Sequence, residues 1–125
     1  MELYRLDITT VISVTQEDVD DIMCAALEGG ITHWCNKVEV IGDCLGKYAH
    51  EQIGREGSLM LHVRGEHMSH ALTPYSFRRG LHQFIQDRYS NCAFICGNKL
   101  DASMLDAGDA DCIVQYALFG ELVYS

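Results

Sequence analysis

Six cysteines and six histidines in 125 residues are the side chains best suited to chemistry. Metal binding is the first possibility. Cys92 and Cys96 form C-x3-C, His67 and His70 form H-x2-H, and His33 and Cys35 form H-x-C. A structural zinc site needs four such ligands converging on a tetrahedron, and the paired C-x2-C pattern that marks one is missing. Free cysteines packed as small hydrophobes account for the pattern better. No metal and no cofactor is expected. The run Asp106-Ala107-Gly108-Asp109-Ala110-Asp111 has the acids of a calcium loop. Its glycine is misplaced, and no glutamate stands at the required distance. Helix capping explains the same acids. His33-Trp34-Cys35 brings a thiol and an imidazole close in sequence, as nucleophilic catalysis would need. No G-x-S-x-G, phosphate loop or dinucleotide fingerprint accompanies it. The chain is therefore expected not to be an enzyme, and no catalytic residue is assigned.

Charge supplies two other candidates. The formal net charge is -9, from 9 Lys and Arg against 18 Asp and Glu. It is uneven: residues 1–30 carry -6, 31–60 carry -1, 61–90 carry +2 and 91–125 carry -4. Direct binding of duplex nucleic acid is disfavoured, because phosphate contacts need clustered positive charge. The positive stretch also holds His62, His67, His70 and His82, whose protonation below neutral pH would add to it. Within it, Arg78, Arg79, His82 and Gln86 fall on one exposed helix face, with Tyr75 placed to stack. Arginine pairs bidentately with phosphate or carboxylate, so this face could hold a small anionic ligand such as a nucleotide. That site is the alternative to the preferred reading, in which Asp18, Asp20 and Asp21, with Asp106, Asp109 and Asp111, form one negative surface that docks on a basic host defence protein and inhibits it.

The elements that must position these groups are readable from pattern. Residues 2–14 are β-branched and read as a strand. Thr15 is an N-cap, Val14 and Val19 form a staple, and Val19, Ile22, Met23, Ala26 and Leu27 make a helical stripe. Asp18, Asp20 and Asp21 face outward on that helix. Gly29-Gly30 is expected to stop it through a left-handed residue. Residues 31–41 predict a second strand. Asp43 would cap a short helix bearing Leu45, Tyr48, Ala49 and Ile53 on one face and ending at Gly54. Leu59, Leu61 and Val63 alternate as a strand, Gly65-Glu66 suits a type II′ turn, and residues 67–72 return. Thr73-Pro74 opens a helix with a Leu72–Phe77 staple and a buried stripe of Phe77, Leu81, Phe84 and Ile85. Residues 92–96 predict a buried strand ended by Gly97-Asn98. Asp106 and Asp109 cap a last helix that stops at Gly120, and residues 121–124 predict a final strand. This order gives an α+β fold: one domain over 1–125, a mostly antiparallel sheet, and three or four helices packed on it. Trp34 would anchor the core or a dimer interface, and the aromatic content suits a homo-oligomer.

Two segments carry a resemblance. Residues 21–35 (DIMCAALEGGITHWC) and 106–121 (DAGDADCIVQYALFGE) resemble the two signatures of a family of small proteins from phages and integrated mobile elements of gut Firmicutes. The chain departs from that pattern over 62–100, which is richer in His, Arg and Cys. The resemblance implies a bacterial or phage setting and no catalytic residues. Small proteins of mobile elements often block a host defence protein or sequester a signalling nucleotide. The start, Met1-Glu2-Leu3-Tyr4-Arg5, lacks a signal peptide's basic opening and apolar core. No apolar run approaches the ~20 residues that span a bilayer. With irregular cysteine spacing, these features predict a cytoplasmic protein without membrane contact.

Overall fold

Each helix begins where a polar side chain closes on the backbone ahead of it. Residues 1–4, 10–88 and 93–125 are described by the computed structural model. Thr15 caps α1 (Gln16–Ala25), Thr73 caps α2 (Pro74–Asp87) and Asp106 caps α3 (Ala107–Phe119). In all three the N3 side chain (Asp18, Ser76 or Asp109) bonds back to the cap residue's N–H. Such boxes satisfy two otherwise orphaned amides and typically contribute about 1 kcal/mol. The expected buried stripes follow. Ile22, Met23 and Ala26 are buried from the first helix, and Phe77, Leu81 and Phe84 from the second.

The sheet is a three-stranded antiparallel meander in the order β1 (Cys35–Ile41), β2 (Ser58–Val63), β3 (Ser69–Leu72). Leu59, Leu61 and Val63 turn inward, while Ser58, Met60 and His62 occupy the half-exposed face. That alternation is the mark of a sheet covered on one side. Leu59, Leu61 and Leu72 join the helical residues in one core. The architecture is α+β; among the described residues it has three α-helices, this sheet and a hairpin of two-residue strands, β4 (Ile95–Cys96) with β5 (Lys99–Leu100).

Several local expectations are corrected. No strand forms at 10–14; Ser13 makes one parallel bridge to Lys99, and residues 5–9 lie outside the described set. The 42–57 segment contains two 3-10 turns (Ala49–Glu51 and Ile53–Arg55) rather than a helix capped by Asp43. Its organiser is Gln52, a buried amide that donates to Asp43 O (2.9 Å) and accepts from Leu45 N (3.0 Å). Gly65 takes φ 74° as the third residue of a turn closed by Glu66 N to Val63 O. That is the glycine position of a type II turn, one residue later than the expected type II′. Cys96 is exposed rather than in the core, and Cys92 lies outside the described residues. Residues 121–124 form no strand.

The largest local surprise is Gly29-Gly30. Neither residue has positive φ, and the helix runs on through them as a π turn, Ala26–Gly30. Glycine is required at one of them for another reason. A Cβ on Gly30 would meet the carbonyl oxygen of Ala107 and lie 3.3 Å from Asp111 N, whereas one on Gly29 would meet nothing. Gly30 is thus where α3 touches the end of the first helix. Gly30→Ala is expected to cost about 2 kcal/mol, since the first turn of α3 can shift only in part. Gly29→Ala should be neutral or stabilising by about 0.5 kcal/mol. Urea unfolding of the two variants measures the contrast, and equal effects would contradict the close approach.

Candidate functional site

A recessed surface lies beside α2. Residues 10–14 run along this helix, held at Ser13: its N–H donates to Asn98 O (2.7 Å), and Leu100 N–H donates to Ser13 O (3.0 Å). Between this segment and the helix is a groove of about 520 Å3. Ile12, Val14, Leu81 and Ile85 supply its apolar surface. Arg78, His82 and Gln86 supply its polar side, with Thr10 opposite. The three polar residues recur at i, i+4 and i+8, one per turn. All are exposed, and neither Arg78 nor His82 has an ion-pair partner among the described residues. Arg78 also borders a second hollow of about 250 Å3 that continues toward Gly54 and Glu56.

The five candidate ligand residues therefore separate. Arg78, His82 and Gln86 share the groove. Arg79 and Tyr75 lie outside it. Arg79 is one residue, about 100°, farther round the helix. Its Nη2 donates to Ala117 O (2.9 Å), and its guanidinium lies over the Tyr75 ring, 5.9 Å from the centroid. Gln83 reaches Gly120 O beside it (3.0 Å). Both side chains satisfy carbonyls at the end of α3, where a helix has no intrahelical donors left. An Arg78–Arg79 clamp on one anion does not form.

Other cations of the positive stretch also have internal partners. Arg88 pairs with Asp109 (2.9 Å) and lies 4.3 Å from the Phe84 ring centroid. Arg64 donates to Thr32 O (2.9 Å). His62 meets Glu39 (2.7 Å), whose carboxyl is held below its ordinary range by that bond first and by Lys37 second.

The six acids proposed as a docking surface are largely engaged within the chain. Asp18 and Asp106 take part in caps. Asp20 pairs with Arg55 (3.4 Å) instead of facing outward, and Asp109 pairs with Arg88. Asp111 Oδ1 accepts from Trp34 Nε1 (2.8 Å) and Gln115 Nε2 (2.9 Å), and its other oxygen is 3.6 Å from His33. Among the described residues, Asp21 alone of the six has no hydrogen bond or ion pair. The groups also sit at opposite ends of one helical unit. Asp18 is twelve residues before Gly30, about 18 Å along the axis, while Asp111 lies against Gly30.

Cys35 and Cys112 are placed for packing rather than attack. Cys35 is buried and donates to Lys37 O (3.4 Å), while His33 faces Asp111, so thiol and imidazole do not pair. Burial pushes the Cys35 thiol above its ordinary range. Burial also raises Cys112, against the opposing pull of Arg88. A raised thiol is a poor source of thiolate. Among the described residues, no group of three or more His, Cys, Asp or Glu is positioned to hold a metal. No helix among them is long and apolar enough to cross a membrane.

No protein-family model, curated protein or solved structure matches this chain. The groove therefore has to be read from its own chemistry. Three of its residues were visible in sequence because helical spacing lines them up. Its second wall, Thr10 to Val14, was not, since its position depends on a bridge to residues more than 80 positions away. Gln115 and Gln52 were also missed. Gln115 carries a signal, a glutamine inside an apolar run, whereas Gln52 stands among polar residues and carries none.

Proposed function

We propose that this chain is a binding protein, not an enzyme, that takes a small anion with an apolar body into the groove beside α2. The observation that carries this reading is the groove's division: an aliphatic surface, and a row of Arg78, His82 and Gln86 at its edge. An apolar ligand body gains by leaving water for that surface. A carboxylate, sulfonate or phosphate gains a charge-assisted bond from Arg78. The volume is within the ordinary range for small-molecule sites. Among the described residues the groove presents one unpaired guanidinium, Arg78, which suits a single anionic group better than a polyphosphate. The resemblance to phage and mobile-element proteins adds a setting, the bacterial cytoplasm, where sequestering a cyclic or mono-nucleotide of a host defence system would be a use for such a site.

Thermal shift with cyclic and linear mononucleotides, aryl carboxylates and anilinonaphthalene sulfonate tests the reading. A true ligand at a hundredfold excess over Kd stabilises by about 2.7 kcal/mol. Arg78→Ala is expected to weaken it about tenfold, the lower end of a charged hydrogen bond at an exposed site. Arg79→Ala should lower the melting temperature and leave affinity unchanged. Unchanged melting across the panel, or equal affinity in Arg78→Ala, removes the proposal.

A further inference from the structure

Gln115 is 1% exposed in the middle of α3, and every hydrogen-bonding valence of its amide is used. Its Oε1 accepts from Val123 N (2.8 Å) and Tyr124 N (2.9 Å). Its Nε2 donates to Tyr124 O (2.9 Å) and to Asp111 Oδ1 (2.9 Å). Asp111 in turn fixes Trp34. Tyr124 stacks on the Trp34 indole, with centroids 5.2 Å apart and planes 10° from parallel, and Phe119 meets both rings edge-on. Leu122 and Val123 stay half exposed, at 49% and 50%. Among the described residues, the main chain of 121–125 has no backbone partner. This segment is therefore held as a bound peptide is held. One side-chain amide reads two consecutive main-chain units, and one aromatic ring fills a seat.

We infer that Trp34, Asp111, Gln115 and Phe119 form a peptide-binding site, occupied here in cis by residues 122–124. The ligand class it takes is an extended segment with an aromatic side chain on the residue whose N–H and C=O both meet the amide. Gly120, with φ 73°, ends α3 and begins the connection to the strap. An attached strap acts at roughly millimolar effective concentration, so a free peptide competes only when the strap is weakened. The site is separate from the α2 groove, and its test does not depend on that reading.

Trp34 is the chain's single tryptophan and reports directly. In the full-length chain, Tyr124→Ser is expected to shift Trp34 emission to longer wavelength. Titration with acetyl-Leu-Val-Tyr-Ser should reverse that shift with saturation in the micromolar to millimolar range, and the peptide with Ser for Tyr should not. Adding Gln115→Leu should weaken the response at least tenfold. Wild type should not respond to submillimolar peptide. If circular dichroism shows Tyr124→Ser unfolded, Tyr124→Leu, which keeps an apolar plug, carries the same titration. An unshifted variant, a non-saturating titration, or an equal response in the Gln115→Leu background overturns the inference.

Discussion

Trp34→Ala is expected to cost about 3–5 kcal/mol, the range for emptying a buried large aromatic site. The indole is 3% exposed and joins three parts of the molecule. Its ring packs against Phe119 at the end of α3 and Tyr124 of the strap, and its N–H meets Asp111 near the start of α3. Neighbours anchored on helix backbone cannot close fully on the vacated volume, so a cavity term adds to the lost transfer energy. Trp34→Phe separates the contributions. It keeps a ring and deletes the donor, leaving Asp111 Oδ1 with Gln115 alone. Its expected cost is about 1–2 kcal/mol beyond the packing change. Urea unfolding followed by far-UV circular dichroism measures both variants, since neither retains tryptophan fluorescence. A Trp34→Ala loss below about 1 kcal/mol would mean that the junction contributes little.

The second large effect is at Gly80. A Cβ there would lie 2.6 Å from Ala117 N, 2.6 Å from Ile113 O and 2.8 Å from the Ala117 Cα. All three are backbone atoms of α3, so no flexible side chain can move aside. The α2–α3 contact is close because Gly80 has no side chain and Ala117 a small one. Gly80→Val would separate the helices, loosening Phe77, Leu81 and Phe84 at once. Overpacking commonly costs 1–3 kcal/mol. Here about 3 kcal/mol is expected, even after the helix propensity gained by removing glycine. That corresponds to a melting temperature lowered by roughly 10 °C. Gly80→Ala should lose less, and an unchanged melting temperature for Gly80→Val would refute the close crossing.

Local features of this fold were the legible ones. The Thr15 and Asp106 caps, the Thr73-Pro74 start and the alternation of Leu59, Leu61 and Val63 all involve residues a few positions apart. Their physics is complete within a short window. The misreadings share the opposite property. Gly30 looked like a helix stop, but its neighbour is Ala107. Asp20 looked solvent-facing, but Arg55 lies opposite. Arg79 looked like part of the ligand-holding face, but the open carbonyl of Ala117 claims it. Each partner lies 35 or more positions away, and nothing near the residue announces it. The groove falls between these cases: one wall is a helical row legible from its spacing, while the other, among the described residues, is held by a backbone bridge at Ser13. Gly30 and Trp34 meet Ala107 and Asp111, so residues 21–35 and 106–121 are joined at one junction.

That junction bears on how the protein is made. Trp34 and Asp111 are 77 positions apart, and the loop between them must close before either gains from the contact. Closing a loop costs more entropy as it lengthens, although slowly. The β1–β2–β3 meander can assemble from neighbouring segments as they leave the ribosome. The helical part of the core cannot, because α3 supplies Ala110, Ile113, Val114 and Ala117 and is translated after α1 and α2. Until then Trp34, Met23 and Phe84 lack a major partner surface. A nascent chain halted before residue 107 should display those apolar groups and engage chaperones that bind exposed hydrophobic segments.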